Sequence, residues 1–315
     1  MKKLLILLAA LMIIPALPAE DVKKRKAVAN HLQDISVTIK AEDNYQKSEG
    51  SGVLVVRKIG GEDVTFVWTA AHVVDNLRNV RNIVDEKGNS RKLVEFKDAQ
   101  IVKELVESGR RVGEIKMDAS IIKYSNADHG HDLALLMVRA KNYGKASSKF
   151  YLDKDEDIVP IGTNLFHVGS LLGQMGANSM TTGIVSQVGR TLGKVEFDQT
   201  TVTAFPGSSG GGVFLTDGRY VGMLVRGAGE GFNLMVPIRR MADWAKGNDL
   251  MWALDPSVPM PSLKEIEKIS VEDSGLKTSK GSDDEKSFPF LIKVEPIKEI
   301  VPLLIIPPVN PFTEK

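Results

Sequence analysis

The chain has 315 residues, 43% of them hydrophobic and 26% charged, with 41 basic residues against 40 acidic ones. That balance provides no strongly charged surface, which argues against nucleic acid or an anionic membrane as the main partner. There is no cysteine, so disulfides, thiolate catalysis and cysteine-based zinc or iron–sulfur sites are excluded; compartment stays open, since a domain this large can build its own core without staples.

Lys2 and Lys3 precede an almost wholly apolar run, Leu4 to Leu17, closed by Pro18, Ala19 and Glu20. The pattern predicts a signal peptide over residues 1–19, with cleavage after Ala16, or retention as a membrane anchor, as alternatives. The run is short for a spanning helix of about 20 residues and carries Pro15. The protein is therefore expected to be exported, to a periplasm or beyond the cell, or to stay membrane-anchored where the segment is kept.

Asp21 to Asp34 puts Val28, His31 and Leu32 on one side of a short amphipathic helix. Ile35, Val37 and Ile39 then alternate with polar residues, and two β-type runs, Val53–Val56 and Val64–Thr69, flank a turn at residues 59–63. The second run delivers Ala70-Ala71-His72. Weaker strand patterns follow at 92–96, 99–102 and 117–124, with Lys103 to Arg111 reading as a helical turn or a loop. Asp128-His129-Gly130-His131-Asp132 then leads into the apolar run Leu133–Val138. Past a break near residue 150, a second set of strands is expected around 159–168, 181–186, 194–197, 212–215, 220–225 and 232–236. About six strand candidates on each side, with turn signals between them, indicate an all-β protein. Ile238 to Leu250 reads as a closing helix. From Asp255 to Lys315 prolines, charges and serines predict a linker or disordered tail. Its end, Phe288 to Phe312, mixes apolar residues with six prolines and reads either as plain extended chain or as a segment that docks on an exposed sheet edge.

The candidate chemistry lies in three places. Thr203 to Gly212 puts Ser209 on a glycine-rich turn, where the backbone can approach a substrate and present N–H groups to an oxyanion. A serine hydroxyl is a weak nucleophile and needs a base, and the base needs an acid to fix its tautomer. His72 and Asp132 are candidates for those roles, with Asp128 and His131 as near rivals. Each feature alone also has a plain reading, as a core histidine, a surface charge or an ordinary Gly/Ser turn.

The flanking residues carry a resemblance. Thr69-Ala70-Ala71-His72, Asp132-Leu133-Ala134-Leu135-Leu136 and Gly207-Ser208-Ser209-Gly210-Gly211 resemble the histidine, aspartate and serine motifs of the chymotrypsin-fold (trypsin-like) serine proteases, specifically the bacterial HtrA (Deg) type. Gly50-Ser51-Gly52-Val53-Leu54-Val55, Thr181 to Ser186 and Phe232 to Ile238 resemble further strands of that family. The resemblance implies a protease domain over about 30–250, folded as two six-stranded antiparallel β-barrels with the active site in the cleft between them. It implies Ser209 as nucleophile, His72 as base then acid, Asp132 as its orienting partner, and the amides of Gly207 and Ser209 as the oxyanion hole.

Several features depart from the family pattern. Ser208 stands where Asn or Asp is usual, so activation by ion pairing with a freshly cut N-terminus is not expected. Gly222 is read at the place of a serine that supports the aspartate in animal members, which leaves Asp132 to be held by backbone groups alone. The chain between His72 and Asp132 is long enough for an inserted hairpin, and no second peptide-binding domain is expected after residue 250. Thr203, Gly222 and Leu224 are the candidate specificity pocket, and Thr203 in place of a carboxylate points to a small or medium apolar side chain before the cut. No metal or cofactor is implied. Polypeptides are the expected substrates, with a docking partner for the tail and association into an oligomer left open. The expected function is an exported serine endopeptidase acting through an acyl-enzyme. The alternative is a catalytically inactive protease-like domain that binds peptides or acts as a scaffold.

Overall fold

The computed structural model describes residues 19–276, apart from 44, 85–87, 108, 153–157, 228, 230 and 274, together with 292 and 293. The expected signal segment, up to residue 18, lies outside the described residues. A helix, α1 (Ala19–Asp34), leads in and packs Leu32 into the core.

Eight strands follow: β1 (Ser36–Glu42), β2 (Lys47–Ile59), β3 (Glu62–Thr69), β4 (Arg78–Val84), β5 (Ser90–Phe96), β6 (Ala99–Glu107), β7 (Arg110–Ser125) and β8 (Leu133–Val138). Six of them close an antiparallel barrel in the order β1-β2-β3-β8-β7-β6. The alternation read at Ile35, Val37 and Ile39 reflects inward-facing positions, all buried. β4 and β5 pair only with each other and form the inserted hairpin between His72 and Asp132. Lys103–Glu107 and Arg110–Arg111 are strand, neither a helical turn nor a loop. They form the end of the β6–β7 hairpin, paired down to Glu107 opposite Arg110. Its charges act across and along strands: Arg111 bridges Glu104 at 2.8 Å and Glu114 at 2.6 Å.

The second set comprises β9 (Lys149–Phe150), β10 (Asn164–Gly169), β11 (Ser179–Leu192), β12 (Val195–Thr200), β13 (Gly212–Leu215), β14 (Arg219–Gly227) and β15 (Asn233–Pro237). Six of these run β13-β10-β11-β12-β15-β14, and β14 pairs back onto β13 to complete the ring. The two six-stranded units expected from strand counting are therefore present, and the chain is all-β in class. β9 adds to β14 in parallel, and a two-residue strand from the tail, β16 (Ile292–Lys293), pairs antiparallel with the end of β14.

The first of two short helices that matter here, α2 (Ala71–Val74), carries His72. The second, α3 (Ile238–Gly247), is the closing helix, and it buries Met241, Trp244 and Ala245 as its spacing predicts. It ties the units together through Trp244, whose ring meets that of Trp68 in the first barrel edge-on at 5.9 Å. Trp68 in turn donates its indole N–H to Ala253 O at 3.1 Å, which removes the desolvation cost of burying that group. Among the described residues no helix is long and apolar enough to cross a membrane.

The disordered tail expected from Asp255 onward is not what the structure contains over its first part. Residues 255–273 pack along the first barrel. A further helix, α4 (Leu263–Ile266), is capped reciprocally by Ser262 and Glu265, and Ile266 is buried. Beyond it Tyr124 N donates to Val271 O at 2.7 Å, Asp273 N to Tyr124 O at 3.1 Å, and the Trp244 indole to Asp273 Oδ2 at 2.7 Å. Composition missed this because the segment has no apolar stripe of its own. Main-chain bonds to β7, the buried Ile266, the partly buried Val258, Met260, Ile269 and Val271, and the side-chain bonds of Glu272 and Asp273 hold it, and these distant partners are not visible in a hydropathy pattern. Residues 277–291 and 294–315 lie outside the described residues. If Ile266 anchors the segment, Ile266→Ala should lower unfolding stability by about 2–5 kcal/mol in urea titration; no change would mean that Ile266 does not anchor it.

Candidate active site

β3 ends at Thr69, Ala70 is extended (φ −73°, ψ 141°), and the chain then enters α2, so His72 sits on its first turn with Ala71, Val73 and Val74 buried around it. Its Nδ1 lies 3.0 Å from both Oδ1 and Oδ2 of Asp132, and its backbone N donates to Oδ1 at 3.1 Å. An ionised carboxylate only accepts, so Nδ1 carries a proton and Nε2 is left as the basic nitrogen in the neutral ring. Nε2 is buried and has no hydrogen-bond partner among the described residues. The two side chains are only 7% and 2% exposed.

Asp132 reaches this position from a strained backbone, at φ 56°, in the left-handed region that Asp tolerates better than most residues. The turn before it is built by side chains. Asn126 Oδ1 accepts the amides of Asp128 and His129 at 2.9 and 3.0 Å, and Ser125 Oγ accepts that of His131 at 2.7 Å. Burial alone would raise the Asp132 pKa. The charge and hydrogen bond of His72, with the charge of Arg226, outweigh burial and hold it at about 2. Of the rivals, Asp128 is exposed on the turn, and His131 is used through its carbonyl, which accepts Arg240 Nη2 at 2.5 Å.

The turn bearing Ser209 is made of backbone. Ser208 N donates to Phe205 O (2.9 Å), Gly211 N to Ser208 O (3.0 Å) and Gly210 N to Leu224 O (2.8 Å). Gly207 and Gly210 have φ of 92° and 86°. A Cβ at Gly207 would lie 2.3 Å from Ser170 O, and one at Gly210 would lie 2.2 Å from Ser51 O and 3.1 Å from Ala70 N, so only glycine fits either place. The turn is thus packed on the segment that leads to His72. Pro206 O accepts Leu172 N at 2.8 Å; in a trans peptide the Gly207 N–H then points to the opposite side. Ser208, the departure from the family pattern, is fully buried, and its Oγ accepts Phe205 N at 3.2 Å, closing the turn internally.

Of the expected pocket residues, Gly222 and Leu224 lie two apart on β14, and Thr203 precedes the serine turn. Leu224 backs the serine turn. Thr203 is partly buried on the approach to it, its carbonyl accepting Thr181 Oγ1 at 3.0 Å. Gly222 lies mid-strand between Val213 and Pro237, where a Cβ would be 2.8 Å from Met235 Sδ. The expectation that backbone alone holds Asp132 is corrected: alongside the His72 amide and ring, the charges of two arginines act on it. Arg226 and Arg240 both lie over the Phe197 ring, at 5.4 and 4.5 Å, and the Asp132 charge acts on Arg240 as well. Burial of Arg240 dominates and brings it down to about 10, still charged near neutrality. A single cation ending the buried run Tyr220–Val225 was the available signal for Arg226. His167 gave none. It lies behind the turn, with Nδ1 3.0 Å from Gly212 O, and burial lowers it to about 4. Among the described residues no cluster of three or more His, Asp or Glu side chains is arranged for a metal. A cleft of about 420 Å³ bordered by His31, Asp34, Glu104 and Asn178 shares no residue with this site.

The family model of the trypsin-like peptidase domain matches residues 50–223, more than half of the chain. The chain belongs to that family. No curated protein matched the sequence of this trypsin-like peptidase. Among solved structures it is similar to Deg5 (20% identity, TM-score 0.50, 76% of this chain and 99% of that one) and to the serine endoprotease from Yersinia pestis (18%, 0.50, 72% and 66%). It also matches the HtrA-type protease AlgWS227A with tripeptide (18%, 0.49, 72% and 63%). At these identities the likeness concerns the fold. This peptidase spans just under two thirds of the length of the last two and nearly all of Deg5.

The two depressed pKa values predict a two-stage acid response. The unfolded chain protonates its histidine near 6.5, while folded His167 resists until about 4. Its contribution is therefore complete above about pH 6.5 and falls by roughly 3 kcal/mol on acidification to pH 4. The contribution of Asp132 is lost lower, as pH falls from about 4 toward 2. Denaturant titrations at stepped pH should show both, and His167→Gln should flatten only the upper stage.

Proposed function

We propose that this trypsin-like peptidase is an exported serine endopeptidase that cuts polypeptides by acyl-enzyme chemistry. One observation carries the reading: a buried His72–Asp132 pair, with Nδ1 held by the carboxylate and Nε2 unpartnered, lies where the glycine turn of Ser209 packs on the histidine segment.

His72 Nε2 takes the proton from Ser209 Oγ as the oxygen attacks the scissile carbonyl carbon, and Asp132 stabilises the imidazolium. The developing oxyanion is met by the amides of Gly207 and Ser209. Collapse returns the proton from His72 to the leaving amine, and water then repeats the sequence on the ester. A carboxylate held well below neutrality suits this role, since it stays ionised throughout. Export is supported by the N-terminal basic and apolar pattern. The side chain expected before the cut is small or medium and apolar.

A fluorophosphonate should label the folded wild type and leave Ser209→Ala unlabelled. His72→Ala should lower kcat/KM by about 10³ or more. A folded protein that fails to label both as wild type and with residues 277–315 removed would sink the reading and favour a peptide-binding domain without catalysis.

A further inference from the structure

At Arg226 and Gly227, β14 pairs with β15 on one edge, opposite Leu234 and Asn233. Its other edge pairs with β13 as far as Met223, opposite Gly212. The next residue, Leu224, exchanges main-chain bonds with the serine turn: Gly210 N to Leu224 O at 2.8 Å, and Leu224 N to Gly211 O at 3.0 Å. Past Leu224 no other barrel strand among the described residues pairs with this edge, and Val225, Arg226 and Gly227 carry it onward from the turn of Ser209. The strand found there is the chain's own β16, antiparallel, with Lys293 opposite Arg226 and Ile292 opposite Gly227.

In an antiparallel pair each step forward along the tail is a step back along β14. Continued by one residue, this register would bring Val294 level with Val225, and the level after that is Leu224, whose main-chain groups already belong to Gly210 and Gly211. A strand on this edge runs head-on into the serine turn, and the peptide bond after Val294 would be the first to meet it.

We propose that the resident occupant of the β14 edge at Arg226–Gly227 is the C-terminal segment of the same chain centred on Ile292–Lys293, lying along the approach to Ser209 as a substrate strand would. Strand addition gains affinity from main-chain bonds and selectivity from alternate side chains. The tether favours the chain's own tail: 15 residues, 277–291, separate it from the packed segment, a length that gives about millimolar effective concentration. The effect of docking on activity rests on the serine-protease reading. The docked tail excludes other polypeptides, or Ser209 Oγ bonds to the Val294 carbonyl carbon while its proton passes to His72. The bond to Glu295 then breaks as that proton goes to the leaving nitrogen, and water hydrolyses the ester. Val294 is the kind of side chain expected before the cut.

The absence of cysteine makes a direct test clean. In the full-length Ser209→Ala protein, Gly227→Cys with Ile292→Cys, and separately Arg226→Cys with Lys293→Cys, place thiols on facing residues, whose Cα atoms are about 4.5–5.5 Å apart and within disulfide reach. Mild oxidation of dilute protein should give an intrachain disulfide in at least one pair, read by intact mass and non-reducing gel. Pairing Gly227→Cys with Ser282→Cys should give none. In active protein, Ile292→Pro with Lys293→Pro removes the N–H groups the pairing needs. That variant, folded by circular dichroism, should label with fluorophosphonate at least tenfold faster than wild type, unless wild type releases a fragment beginning at Glu295 and the variant does not; either result supports docking. No disulfide, a disulfide only between chains, or an uncut wild type that labels as fast as the variant overturns it. A disulfide with no labelling of either active-site protein leaves the docking standing and removes the protease reading instead.

Discussion

Ser51 is the joint on which the site depends. Its amide donates to Ser209 O at 2.8 Å, its hydroxyl donates to Gly207 O at 2.7 Å and accepts Ser170 N at 2.7 Å, and its carbonyl accepts Thr69 Oγ1 at 2.7 Å. One residue of the first barrel therefore holds both ends of the serine turn, the loop after β10 and the end of the strand that leads to His72. Thr38 reinforces the same point, its Oγ1 2.6 Å from Ser170 Oγ. All these groups are buried, and a buried hydroxyl with its capacity filled is worth more as an orienting device than its net stability of about 1 kcal/mol suggests, since losing it would leave two further main-chain groups unsatisfied. The cleft between two barrels is where two halves of a site could slip relative to each other, and this set of short bonds opposes that.

The second constraint is charge. A carboxylate at 2% exposure is costly unless it is paired and hydrogen-bonded. Here the cost is offset by the imidazole and amide of His72 and by two arginines stacked on one phenylalanine. The stacking matters because Arg226 and Arg240 are themselves largely buried. The Phe197 ring and the carbonyls of Ala127, His131 and Glu196 receive their guanidinium groups. The acid turn, the end of β14 and the closing helix are thereby locked by one buried charge cluster. The end of β14 is also where β16 pairs, so catalytic electrostatics and peptide docking would share one strand.

Much of this was legible beforehand. Inward-facing positions along a strand must be apolar whatever lies opposite, so the two sets of six strands could be counted from hydropathy and turn residues alone. The motifs around His72, Asp132 and Ser209 were read from their resemblance to the chymotrypsin-fold serine proteases, and the structure gives glycine at 207 and 210 its reason in positive φ and close approach. The neighbours of Gly222 could not be read because they are cross-strand partners, set by the register of β13, β14 and β15. Lys103–Arg111 was read as a helical turn or a loop because its place in the sheet is set by pairing across the β6–β7 hairpin, which no local pattern records. The stretch from Asp255 was read as a tail because the groups that hold it, on β7, Arg78 and Trp244, are distant in the chain.

The amino-acid sequence by itself determined the fold class and the placing of most strands along the chain, because alternation and turn chemistry are local; the three residues proposed for catalysis were read from the resemblance of their motifs to the chymotrypsin-fold serine proteases. Only the tertiary structure decided that Ser51 ties the serine turn to the first barrel, that Arg226 and Arg240 balance Asp132, and that a two-residue piece of the tail lies on β14 beside the site. Those are contacts between residues separated by up to 158 positions, as for Ser51 and Ser209. No periodicity records which distant main-chain groups will meet once the barrels close.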